Sequence, residues 1–252
     1  MELADIKAVV FDFIGTLTSV KNYSLEASTL KLSKALVEAG FTVDEEDFLR
    51  AYSRAHEKYR LIRYEELVEV TNGVWISDAL NCLGFKTSPE DVRVKTAVNV
   101  FFEDYLSSLE LNSCARRMLV RLSKRYKLGL VSNFTYAPVI YAALRKLGIN
   151  RFFSAVLVSE DVGWRKPNRK IFQEALRRLG AKAQETVYVG DSPVEDIVGA
   201  AAAGMRTIFV PSQFYTLENV HESPTKPDLI VKDICELCRV FPESAGEIRP
   251  KK

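Results

Sequence analysis

The sequence predicts a doubly wound, Rossmann-like α/β core with a parallel sheet, interrupted by an all-helical insert. Three observations carry that expectation. Five short apolar runs are rich in β-branched residues and give way to polar or glycine residues. Their hydrophobicity is continuous rather than alternating, as in strands covered on both faces by helices. Segments of helix length separate the last four runs, and strand–helix–strand alternation builds a doubly wound sheet.

Taken in order, strands are expected at 6–11, 128–131, 155–158, 186–189 and 207–210, with helices at 136–147, 169–179 and 194–203. Leu-Gly and Ala-Gly pairs stop the helical segments, because glycine accepts the left-handed turn that ends a helix. Between about 19 and 109 no strand is expected. Amphipathic helical patterns run instead near 24–39, 44–62, 64–83 and 89–108, with Asp44 and Ser88 as cap residues after the breaks. The core domain is therefore assigned to 1–19 and 109–252 and a helical cap domain to 20–108. Two connections would hinge that cap over the sheet's carboxyl edge. The tail after Val240 is polar and expected to fray.

Bulk properties narrow the function. Hydrophobic residues make up 47% of the 252 and charged residues 27%, ordinary for a protein with a real core. Thirty-five basic and 33 acidic side chains leave a net charge of +2, too little for a general pull toward nucleic acid or an anionic membrane. No apolar run approaches the ~20 residues of a membrane helix. The first residues lack the basic and long apolar regions of a signal peptide, so a cytoplasmic location is expected. There the four cysteines would be reduced thiols. Cys235 and Cys238 form a CxxC pair, but without a second pair or a nearby histidine it reads as structural. Oligomeric state is not legible.

The chemistry is concentrated at four strand ends, where open α/β sheets bind ligands. Asp12-Phe13-Ile14-Gly15-Thr16-Leu17 follows the first strand, and Ser132-Asn133 the second. Lys166-Pro167 lies beyond the third, and Gly190-Asp191-Ser192-Pro193-Val194-Glu195-Asp196 follows the fourth. Each alone has a bland reading, as a turn, a helix cap or a solvated lysine. Together they supply two acidic sites, a hydroxyl with neighbouring amides, and an ammonium. Such a set can hold a divalent cation against a dianion and attack it with a carboxylate.

In these four motifs and their order, the chain resembles the haloacid dehalogenase (HAD) superfamily across residues 6–210, and the insert resembles that superfamily's C1-type helical cap. The resemblance implies that Asp12 is the nucleophile and that Lys166 neutralises charge upon it. It implies that Ser132 and the Asn133 amide bind the transferred group while Thr16 supports the loop. Mg²⁺ would be held by Asp12, Asp191 and the backbone carbonyl of Ile14, with Asp196 orienting a bound water or Lys166. The substrate would be a small phosphorylated molecule or a halogenated acid, with no nucleic-acid or membrane partner.

One departure matters. HAD phosphatases carry a second aspartate where this chain has Ile14; it protonates the leaving alkoxide and activates the hydrolytic water. General acid–base catalysis is typically worth ~10²–10⁴ in rate. Three readings follow: an atypical Mg²⁺-dependent phosphatase, a 2-haloacid dehalogenase-like hydrolase, and a non-catalytic interaction protein that kept the fold. Dehalogenases also lack an acid at position 14 and share the Ser-Asn pair, but they need no metal and usually carry serine in place of Asp191. They often show tyrosine where Phe172 stands. Two facing carboxylates repel unless a cation lies between them, so Asp191 favours metal and phosphate. Phosphonate cleavage through a cap lysine is a minor variant, with Lys58 its one candidate.

For substrate choice, the richest cap stretch is 56–64, which includes His56, Lys58, Tyr59, Arg60, Arg63 and Tyr64. Arginine and tyrosine there can grip an anion, although buried tyrosines and solvated arginines are the plainer expectation. Tyr23 and Trp75 have the same status. Trp164 is expected to border the crevice, and His56 is the first surrogate acid to consider.

Overall fold

The computed structural model describes residues 5–241. Its strands, in chain order, are β1 (Ala8–Phe11), β2 (Thr18–Val20), β3 (Leu109–Leu111), β4 (Lys127–Ser132), β5 (Ala155–Val158), β6 (Thr186–Gly190), β7 (Arg206–Phe209) and β8 (Leu229–Ile230). Six of them form one parallel sheet in the order β5-β4-β1-β6-β7-β8. The register sets Val10 beside both Gly129 and Tyr188. β1 is therefore central, and the chain winds outward from it first through β4 and β5, then on the other side through β6 to β8. The crevice lies where these two directions part.

The helices are α1 (Leu25–Glu38), α2 (Glu45–Leu61), α3 (Asn72–Cys82), α4 (Val92–Ser108), α5 (Ala115–Leu122), α6 (Ala137–Lys146), α7 (Ser159–Val162), α8 (Arg169–Leu179), α9 (Gly199–Ala202), α10 (Leu217–Glu222) and α11 (Leu237–Val240). A wide turn at Pro193–Val198 leads into α9. α1 to α4 bury their own cluster, including Leu32, Leu36, Phe48, Trp75, Ile76, Leu80, Val98 and Phe101. Each long helix shows one apolar face, and these faces meet one another rather than the sheet. No described helix is long and apolar enough to cross a membrane.

Several expectations are corrected. Asp44 caps α2 as expected, accepting from the Asp47 amide, but α4 is capped by Asp91, which accepts from the Arg93 amide, and not by Ser88. The third cap helix begins at Asn72 rather than near 64, because Leu67 turns left-handed (φ 55°) and the next residues pair with the core. The two connections to the cap are themselves short strands: β2 pairs antiparallel with β3. Three-residue strands leave too little periodicity to read, and β8 has only two residues. Cys114 and Cys235 are joined in a disulfide across 121 positions, which overturns four reduced thiols; Cys82 and Cys238 are free. Phe241, assigned to a frayed tail, is buried against Tyr126 with the ring centres 5.5 Å apart. The rest of that tail, 242–252, lies outside the described residues.

Candidate active site

Asp12 leaves the carboxyl end of β1 into a tight turn. The Leu17 and Thr18 amides and the Thr18 hydroxyl all donate to the Phe13 carbonyl, and the Gly15 amide donates to the Thr18 carbonyl. Gly15 is required for this turn. Its φ is +100°, and a Cβ there would stand 2.3 Å from Asp191 Oδ2, so the first and fourth loops touch only because residue 15 has no side chain.

Lys166, which precedes a cis proline, is 1% exposed. Its ammonium donates to Asp12 Oδ1 at 2.7 Å, to Asp196 Oδ1 at 2.6 Å and to the Tyr188 hydroxyl at 3.0 Å. Asp196 is fixed in turn by the Ser192 amide (2.9 Å) and the Tyr188 hydroxyl (3.1 Å). The Ser192 hydroxyl caps the wide turn by accepting from the Glu195 amide. Asn133 grips the third loop through its side chain, donating to the Lys166 carbonyl (2.9 Å) and accepting from the Lys166 amide (2.7 Å). Ser132 is buried at the end of β4. Thr16 donates to Asp191 Oδ1 at 3.1 Å, and the Ser212 hydroxyl donates to Asp191 Oδ2 at 2.6 Å.

The electrostatics follow from burial. Desolvation raises the Asp12 carboxyl to about 6, with Asp196 adding to the rise and the Lys166 ammonium working against it. Asp191 is pushed further, to about 8, by burial and then by the charges of Asp12 and Asp196. Lys166 is held well above its ordinary value: burial alone would lower it, but Asp12 and Asp196 outweigh that. Carboxylates this close favour a cation.

The donor set fits a hard divalent cation. Carboxylate oxygens of Asp12, Asp191 and Asp196 lie within 4.8 Å of one another. Asp12 Oδ2 is buried and has no hydrogen-bond partner among the described residues. All the donors are oxygens, which suits Mg²⁺. Asp196 already accepts three hydrogen bonds and serves Lys166, so Asp12 and Asp191 are the more open pair.

The hydrogen bonds bring Asp12, Thr16, Asn133, Lys166, Asp191 and Asp196 together at one crevice, while Ser132 is buried at the end of β4 and Ile14 is partly buried against the core. Sequence reasoning missed three residues in or beside this network. Tyr188 lies inside an apolar strand, where a hydroxyl looked incidental; Phe172 packs edge-on against it at 5.3 Å. Ser212 sits past β7 in a loop without a motif. Glu69 comes from the cap segment read as helix. Among cap candidates, Lys58 pairs with Asp78 at the surface and Arg60 with Glu57. Arg63 is mostly covered and bonds Glu69, Tyr64 is exposed, and Trp75 is buried. His56 packs edge-on to Trp75, and burial lowers its pKa. Trp164 places its ring 3.5 Å from the Lys170 ammonium, and it lines an outer cleft with Gln173 and Arg177.

A doubly wound sheet whose strand-end loops converge on buried carboxylates around one lysine, with a helical lobe inserted after β2, is the architecture of an α/β hydrolase. The chain belongs to the haloacid dehalogenase-like hydrolase family, whose profile matches residues 6–204. Among curated relatives, a glyceraldehyde 3-phosphate phosphatase of Methanopyrus kandleri is 33% identical over 247 residues, spanning 96% of this chain and all of the relative. A second, from Methanothermobacter thermautotrophicus, is 30% identical over 240 residues, covering 94% of this chain and all of its own. Among solved structures, a 2-haloacid dehalogenase from Pseudomonas syringae pv. Tomato superposes with a TM-score of 0.65 at 26% identity, covering 93% of this chain and 97% of that one.

Proposed function

We propose that this hydrolase is a Mg²⁺-dependent phosphatase acting on a small phosphorylated metabolite through an aspartyl-phosphate intermediate. The observation that carries it is Asp191 set against Asp12, whose buried Oδ2 has no partner among the described residues. The phosphatase names of the full-length relatives support it and make glyceraldehyde 3-phosphate the first substrate to try. Asp12, Asp191 and the Ile14 carbonyl would hold Mg²⁺, which when bound would offset negative charge on the phosphoryl group and on the carboxylates. Asp12 forms a bond to phosphorus as the bond to the leaving oxygen breaks. Water then cleaves the acyl phosphate, releasing inorganic phosphate and restoring the carboxylate. Lys166 holds Asp12 in place and neutralises it, while Asp196 and Tyr188 hold Lys166. Ser132 and the Asn133 amide bind the phosphoryl oxygens. Residues 20–108 act as the cap domain over a core of 1–19 and 109–252.

Ile14 can neither give nor take a proton, so the leaving oxygen draws its proton from elsewhere. That residue, with the structural likeness to a dehalogenase, sustains a second reading in which halide leaves unprotonated. One assay separates the two. Phosphate release that EDTA abolishes and Mg²⁺ restores is expected, with turnover lost in Asp12→Asn. Halide release from 2-chloropropionate that ignores EDTA would replace the first reading with the second. A cytoplasmic location belongs to the proposal as well, and the Cys114–Cys235 bond is the feature that speaks against it.

A further inference from the structure

The third and second catalytic loops are both tied to one residue of the helical lobe. The stretch 67–69 runs antiparallel to 163–165. The Glu69 amide donates to the Gly163 carbonyl at 3.0 Å, the Arg165 amide donates to the Leu67 carbonyl at 3.1 Å, and Val68 bridges Trp164. The Glu69 side chain is wholly buried at this seam. It accepts from Arg63 at 2.6 Å, lies 3.8 Å from Arg165, and accepts from the Ser159 hydroxyl. Ser159 itself accepts from the Phe134 amide at 2.8 Å. Phe134 directly follows Ser132-Asn133, and Arg165 directly precedes Lys166. Arg165 also reaches the fourth loop, donating to Glu195 at 2.9 Å.

We propose that Glu69 is a positioning residue: its buried carboxylate holds the phosphoryl-binding loop through the Ser159 hydroxyl and steadies the lysine loop by its charge 3.8 Å from Arg165, alongside the backbone pairing of 67–69 with 163–165. This rests on the phosphatase reading for its kinetic consequence, but not for its geometry. A buried ion pair is weak evidence for a stabilising role, because desolvation offsets the Coulomb gain. Here the acid joins the helical lobe to the core at a seam separate from the packing of Phe102 on Phe134 and Tyr136, and its partners adjoin the residues assigned to phosphate. Misplacing such groups by about 1 Å can cost on the order of 10²-fold in rate. Ser132 and Lys166 are engaged most strongly as charge develops, so the loss belongs in kcat more than in KM.

The test uses the full chain with Glu69→Gln, which keeps shape and an acceptor, and Glu69→Ala. In Glu69→Gln, kcat for p-nitrophenyl phosphate with Mg²⁺ should fall about tenfold or more while KM moves less than about threefold. Adding Ser159→Ala should then cost little more, because both changes cut the same connection. Hydrogen exchange read on peptides 131–136 and 163–168 should quicken in both Glu69 variants relative to the strands of the sheet. A lower melting temperature with unchanged kcat, or unchanged exchange in those peptides, overturns the proposal. Should wild type release no phosphate from any monoester, the phosphatase reading fails by itself, and the exchange measurement still decides the role of Glu69.

Discussion

Ile14 sits partly buried against the core cluster, two residues after Asp12, the proposed nucleophile. An aspartate there would supply the missing proton relay. Ile14→Asp is expected to raise p-nitrophenyl phosphate turnover several-fold, and turnover of an alkyl phosphate by more, since a poor leaving group depends more on protonation. Equal, unchanged rates in a folded variant would remove this residue as the limit. Gly15 makes the converse case. Ala at φ +100° is strained, and its methyl would meet Asp191 Oδ2 at 2.3 Å. Gly15→Ala should therefore weaken Mg²⁺ activation about tenfold and cost roughly 1–2 kcal/mol in stability; Mg²⁺ titration of turnover, together with thermal melting, checks both.

At the scale of elements, the Cys114–Cys235 bond pins the turn Ile234–Glu236 and α11 to the start of α5, where Leu237 and Phe241 complete the core. Closing so long a loop stabilises mainly by restricting the unfolded chain. Cys114→Ser should lower stability by about 2–4 kcal/mol, read by urea unfolding, and reductant should affect wild type alone. A variant as stable as wild type would leave the crosslink without a structural role. The main strands were legible because burial on both faces writes itself as unbroken apolar runs in β1, β4 and β6. The disulfide was not, since nothing local relates residues 121 apart. Nor was the start of the third cap helix: Leu67 turns left-handed because the following residues find partners at 163–165, a tertiary demand that overrides helical pattern. In the crevice, charged residues at strand ends announced themselves. Tyr188 and Ser212 did not, because hydroxyls in a strand and a loop are common everywhere.

For the whole molecule, the raised carboxyls make stability depend on pH. Asp191 is held near 8 in the fold and near its ordinary value of 3.8 when unfolded. Between those values the folded protein binds protons that the unfolded chain releases, so stability falls as pH rises through that window. Glu174, held near 2 by Arg177 and then Arg178, changes only below its ordinary value of 4.5 and does not mask the trend. The metal-free protein should thus melt lower at pH 8 than at pH 5. Mg²⁺ requires the ionised carboxylates and should raise the melting temperature more at pH 8. A metal-free melting temperature that climbs steadily across this range would contradict the electrostatics of the crevice.

The antiparallel pair β2 and β3 stitches both leashes of the helical lobe into one ribbon, and Gln213 clasps the ribbon at Val20 from beyond β7. At this end the lobe is therefore joined to the core by one paired ribbon rather than by two separate tethers. That ribbon begins at Thr18, whose amide and hydroxyl both grip the Phe13 carbonyl beside Asp12. The attachment of the lobe and the turn that carries Asp12 are thus one hydrogen-bonded unit, joined one residue from that carboxylate.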